Sequence, residues 1–278
     1  NDMADTEDDN LAIGYDALGG SINGGEFNVA IGNYSLGVNT SGDYNTAVGY
    51  NTLTANTTGG YNTAMGVQAL YANTTGTAIT AMGHQALSAN TTGDYNTASG
   101  YQALLSNTTG TYNTAMGPYA LTTNINGNNN AASGYRALLS NTTGDQNSAM
   151  GMNALQENTG GNDNTSLGYT AGDIITTGSN NVVLGSGSDP SANSASNQIV
   201  IGYGASGQAN NSVTLGNADV TAVYMAQDQG ATVYAAGVDI TGSTGLILEN
   251  DETITNSTDG TIVIDGKADF NDNAITGY

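Results

Sequence analysis

The residues able to do chemistry in this chain are few and widely spaced. Asp43, Asp94 and Asp145 share one register, each just after a turn glycine. Carboxylates converging on one turn are what a calcium site in a β-roll needs. Other copies of that slot hold Gly60, Thr77, Thr111 and Asn128, so a solvated turn is the expected role. Glu249, Asp251 and Glu252 could supply the acid pair of a glycosidase, but nothing sets two of them across a cleft. His84 is the only histidine and cysteine is absent, which removes zinc, iron–sulfur and thiol chemistry. His84 falls in a variable turn column and is expected to be an ordinary surface residue. The expectation is a protein with no catalytic residues, no metal and no cofactor, and so not an enzyme.

Two kinds of column invite a binding role. Asn56, Asn73, Asn90, Asn107 and Asn141 each open an N-x-T glycosylation sequon. Identical asparagines stacked coil over coil also form hydrogen-bonded amide ladders, and the strict register favours the ladder over glycans. Aromatic residues flank the motif glycine on both sides: Tyr15, Tyr50, Tyr101, Tyr135, Tyr169 and Tyr203 after it, and Phe27, Tyr44, Tyr61, Tyr95 and Tyr112 before it. Their structural role is to cover coil edges and stack on one another. If the surface contacts a receptor or glycan, the candidates are Tyr44, Tyr50, Tyr61, Tyr95, Tyr101 and Tyr112.

These columns exist because the chain repeats. A motif glycine recurs every 17 residues from Gly32 to Gly202, a second glycine column runs from Gly25 to Gly178, and leucines keep the same register from Leu36 to Leu155. The best-preserved unit is N-T-A-x-G-Y-x-A-L-x-x-N-T-T-G-x-Y. It is too short and too rich in Gly, Asn and Thr for a helical repeat, and shorter than a leucine-rich repeat. Two short strands, N-T-A-x-G and Y-x-A-L-x-x, joined by glycine-permitted turns fit it. Stacking such units in parallel gives an all-β fold: a parallel β-solenoid or β-roll of about twelve 17-residue coils, followed by a short β-rich C-terminal module.

Composition bounds what such a solenoid can do. Two Lys plus Arg stand against 24 Asp plus Glu, a net charge of −22. Phosphate backbones and anionic membrane surfaces are therefore excluded as partners. No apolar run approaches the roughly 18 residues of a membrane span, so no membrane insertion is expected. Leu, Ile, Val and Phe make up about 17% of the chain, below the roughly 20% that an ordinary core needs, but stacked repeats bury one another. One face of N-T-A-x-G carries Thr and a variable apolar residue such as Met65, Met82 or Met116, expected inside the coil. The other carries Asn, Ala and Gly, expected against a neighbouring chain. A closed homotrimer is the expected assembly.

The stretches Asn28-Val-Ala-Ile-Gly32, Asn45-Thr-Ala-Val-Gly49 and Asn197 to Gly216, the last with a 14-residue spacing, resemble the YadA-like head repeat of trimeric adhesins. The 17-residue form with Y-x-A-L-x-x-N-T-T-G resembles the variant found in bacteriophage tail-fibre-type proteins. The resemblance covers residues 10–216 and implies a trimeric left-handed β-roll. It implies a homotrimeric fibrous structural or attachment protein, part of a phage tail or virion fibre contacting a host-surface glycan or receptor. The alternative is a bacterial trimeric surface adhesin head or extracellular filament subunit. The 278 residues hold no heptad stalk and no membrane-anchor barrel, which the adhesin alternative would use. Either places the protein on a virion fibre or at the cell surface. A third class is an ice-binding β-solenoid using Thr46, Thr63, Thr80, Thr97 and Thr114, which are expected to point inward. The domain plan is an acidic lead-in over 1–9, repeats over 10–216 that degenerate from 169, and a short-strand β module or cap over 217–278.

Overall fold

The computed structural model describes residues 9–20, 25–221 and 223. The chain divides into two units, Asn1–Val223 and Tyr224–Tyr278, and the described residues belong to the first. The expected strands around Ala231–Tyr234, Leu246–Leu248 and Thr261–Ile264, and the Glu249–Glu252 acids, lie outside the described residues.

The first unit is a parallel β-solenoid of about twelve turns. Thirteen strands form one sheet in strict chain order, from β1 (Leu11–Ile13) to β13 (Ser212–Leu215). Each is three or four residues long. Register follows the repeat: Thr63, Ala64 and Met65 pair with Thr80, Ala81 and Met82. It holds through the less regular coils, where Thr165 pairs with Val182 and Val182 with Ile199. It also survives the shortened last coil, where Gln198 pairs with Ser212.

Each coil contains one strand, not two. The Y-x-A-L-x-x segment is a run of turns in which Gln68 and Leu70 take φ of 59° and 51°. Its backbone still bonds to the next coil, Leu70 N–H donating to the Ala86 carbonyl at 3.0 Å and Ala72 N–H to that of Ser88 at 3.0 Å. The reason is visible in the burial. Ala69 and Leu70 are adjacent and both fully buried, whereas successive side chains of an extended strand point to opposite faces. A left-handed leucine, which costs about 1–2 kcal/mol of backbone strain, turns both inward.

The two faces of the strand are the reverse of expectation. Ala64, Ala81, Ala98 and Ala115 are completely buried, while Met65, Met82 and Met116 are 49%, 41% and 50% exposed. Alternation is obeyed; its sign is inverted. The lumen of a 17-residue coil is filled by Leu, two alanine columns and two asparagine columns, and no room remains for methionine. Thr63, Thr80 and Thr114 therefore lie with the methionines on the outer face, half-buried.

Glycine is required at two places per coil for different reasons. Gly83 has φ of +135°, and a β-carbon there would strike the Gly100 carbonyl of the next coil. Gly76 has no such φ, but a β-carbon would run into the Gly93 carbonyl and the Asn73 and Asn90 amides. Gly83→Ala should thus lower stability by at least about 1 kcal/mol, read as a fall in Tm by circular dichroism. Gly60→Ala, in the slot filled by Thr77 and Asp94 in following coils, should change Tm little.

Candidate functional site

Polar chemistry in this unit is concentrated in columns along the solenoid axis. The expected asparagine ladder is present. Asn56 Nδ2 donates to Asn39 Oδ1 at 2.9 Å, Asn73 to Asn56 at 2.9 Å, Asn90 to Asn73 at 2.8 Å and Asn107 to Asn90 at 2.9 Å. It continues through Asn124 and Asn141 to Asn158. All are fully buried, which leaves no acceptor amide for a glycan in the folded coil.

A second ladder, not anticipated from the sequons, runs beside the first through Asn28, Asn45 and Asn62 and again from Asn96 to Asn181. Here the side-chain carbonyl accepts the next coil's backbone, as in Asn45 N–H to Asn28 Oδ1 at 2.9 Å and Asn113 N–H to Asn96 Oδ1 at 2.9 Å. The two ladders meet on the turn glycine. The Gly110 carbonyl accepts from Asn96 Nδ2 at 2.7 Å and from Asn107 Nδ2 at 3.0 Å, and Gly127 and Gly144 repeat the arrangement. The asparagine of N-T-A-x-G was the available clue, since an amide at every strand start needs a buried partner.

The aspartate column also has a structural task. Asp43 Oδ1 accepts from the Glu26 N–H at 2.9 Å, Asp94 from Thr77 at 2.7 Å and Asp145 from Asn128 at 2.6 Å. Each carboxylate thus ties its turn to the coil before it, more than the free solvation expected. Among the described residues no three His, Cys, Asp or Glu come close enough to hold a metal ion.

The six candidate tyrosines separate into different environments. Phe27, Tyr44 and Tyr61 stack face to face at 5.0 Å centroid spacing, as do Tyr95 and Tyr112. Ala78 interrupts the column between them. Tyr50 meets Tyr34 edge-on at 6.1 Å. Tyr101 stacks on His84 at 5.2 Å and meets Tyr119 edge-on at 5.2 Å, which gives His84 a packing role. No one patch gathers all six.

Two features escaped sequence inspection. Arg136 lies over the Tyr135 ring, its guanidinium carbon 5.0 Å from the centroid, a cation–π contact. Asp189 has its carboxyl pushed up to about 6, first by burial and then by the nearby Asp173 carboxylate, against a lowering by the Ile174 N–H. Asp173 is itself raised, by burial and then by Glu157. These acids come from irregular coils, where no column flags them.

No protein-family model matches this chain, and no curated protein does. Among the described residues no helix is long and apolar enough to cross a membrane.

Two measurements test the buried polar groups. Asn107→Ala leaves Asn90 Oδ1 without a donor and one N–H of Asn124 Nδ2 unpaired, the other still donating to the Gly127 carbonyl; at about 1–3 kcal/mol for a buried unpaired group, a loss on the order of 2–4 kcal/mol is expected by urea unfolding. Asn107→Asp should be worse at neutral pH, because it adds a buried charge beside Asn90 Oδ1. For Asp189 the raised value means the folded chain holds a proton that the unfolded chain has released. Stability should therefore fall as pH rises from the ordinary carboxylate range to about 6, and Asp189→Asn should remove that part of the slope.

Proposed function

We propose that this chain is the protomer of a homotrimeric fibrous structural or attachment protein built on YadA-like head repeats. We place it in a phage tail or virion fibre that contacts a host surface, with no catalytic role. The observation that carries this is the outer face of the sheet. Across thirteen strands there is no charged residue in a chain of net charge −22. Instead an apolar column runs along the solenoid through Ile13, Ile31, Val48, Met65, Met82, Met116, Met150, Leu167, Leu184 and Ile201, broken only by Ser99 and Ser133.

Exposed apolar patches of this extent mark protein interfaces. Burying the exposed half of one such side chain contributes about 1 kcal/mol, and the contribution repeats at nearly every coil. The face offered to the partner is then the Thr/apolar one, and the Asn/Ala/Gly side belongs to the coil interior. A bacterial trimeric adhesin head or filament subunit would use the same face, and this remains the alternative. Ice binding gains an outward threonine column, but half-exposed methionines alternating with it suit a protein partner better.

Sedimentation tests the assembly. The 27.9 kDa chain should sediment as a trimer, and the double variant Met82→Asp, Met116→Asp should shift it to monomer while keeping the β circular dichroism spectrum. A folded wild-type monomer would remove the proposal. Thermal hysteresis from such a monomer would favour ice binding.

A further inference from the structure

We propose that the pairs Tyr44–Tyr61 and Tyr95–Tyr112 are oxidative modification sites. A haem peroxidase using hydrogen peroxide joins each pair into a dityrosine bridge that staples two coils of one chain. The inference is independent of the attachment role proposed above, since it concerns contacts within a single protomer.

Among the described residues these are the two places where one phenol ring lies face to face on another. The centroids are 5.0 Å apart in both pairs, with planes 14° and 3° from parallel. The backbone repeats with the rings: Tyr44, Tyr61, Tyr95 and Tyr112 take φ of 56°, 59°, 56° and 58°. The turns are also tied together at each pair. Tyr61 N–H donates to the Asp43 carbonyl at 2.9 Å and Tyr112 N–H to that of Asp94 at 3.1 Å. A ring step so close to the strand spacing of roughly 4.8 Å makes the second ring a displaced copy of the first. Each carbon ortho to the hydroxyl then lies over its counterpart. Tyr101 and Tyr119 meet at 67° and Tyr119 and Tyr135 at 89°, which denies their ortho carbons that alignment.

The neighbours limit each site to one bridge. Phe27 stacks on Tyr44 at 5.0 Å but has no phenol to oxidise, and Ala78 stands in the column between Tyr61 and Tyr95. The four tyrosines are 47% to 67% exposed and so open to a one-electron oxidant. Cysteine and tryptophan, which would compete for it, are absent from the chain. Each phenol gives up one hydrogen atom to become a phenoxyl radical, and the two radicals join through their ortho carbons. The two ortho hydrogens then pass as protons to the phenolic oxygens. One hydrogen peroxide takes up the two hydrogen atoms removed and leaves as two waters. The cross-link closes a loop spanning 17 residues, which restricts the unfolded chain and stabilises the folded one.

The test treats the full chain with a haem peroxidase and hydrogen peroxide, then cleaves it before aspartate for mass spectrometry. Fragments 43–93 and 94–144 hold one pair each. Each should lose two hydrogens, counted apart from any oxygen gained at methionine, and show dityrosine fluorescence without forming fragment dimers. Tyr61→Phe should abolish the bridge in 43–93 alone, and Tyr112→Phe that in 94–144 alone. Both variants keep the ring, as Phe27 already does in this column. Tyr50→Phe and Tyr119→Phe should leave both bridges in place. In urea the same treatment should lose this selectivity, and the bridged folded chain should have a higher Tm. No bridge, bridges between chains, bridges that survive Tyr61→Phe and Tyr112→Phe, the same selectivity in urea or an unchanged Tm would each overturn the proposal.

Discussion

The glycine carbonyl that receives two asparagine amides is the interaction on which the rest of this solenoid depends. A coil with one three-residue strand has little regular pairing, so its turns must find partners elsewhere. The Gly110 carbonyl finds them in Asn96 and Asn107, and those amides are in turn held by the coils before and after. The Asn107 amide and the carbonyl of the next coil's glycine crowd the space where a β-carbon would stand on this glycine, and into this narrow lumen the strand turns only small residues, alanine in most coils and valine at Val183 and Val200. The left-handed leucine follows from the same narrowness. So does the exclusion of methionine to the outer face.

Much of this was legible in the residues, and what was not has identifiable causes. A period of 17 fixes coil number and strand register, and a column of identical asparagines leads directly to a ladder. Alternation in N-T-A-x-G shows that Thr and Met share a face. It does not say which face is inside, because that depends on lumen width, set by turns whose dihedral angles the sequence states only at glycine. Leu70 and Gln68 gave no sign of positive φ. Their left-handed backbone, not their side-chain types, makes the second segment a set of turns.

The candidate surface was legible as columns but not as geometry. Tyr44 lies between two parallel rings, whereas Tyr101 lies parallel to His84 on one side and meets Tyr119 edge-on on the other. The difference comes from a shift of a single position: Tyr119 stands two residues after its glycine, where Tyr101 and Tyr135 stand one after theirs. Asp189 was hidden for another reason. Its altered acidity arises from burial among irregular coils and from Asp173, which the repeat does not align with it.

The amide ladders also give the rod a direction. Every Nδ2 in the first ladder points to the preceding coil, so the amide dipoles add head to tail, as peptide dipoles do in a helix. At Asn158 the column ends, because Ile175 takes the next place, and the Asn158 Oδ1 is left buried without a donor. One end of such a column carries spare donors and the other a spare acceptor. Two ladders of this kind can be joined head to tail, but never head to head, without setting like poles against each other.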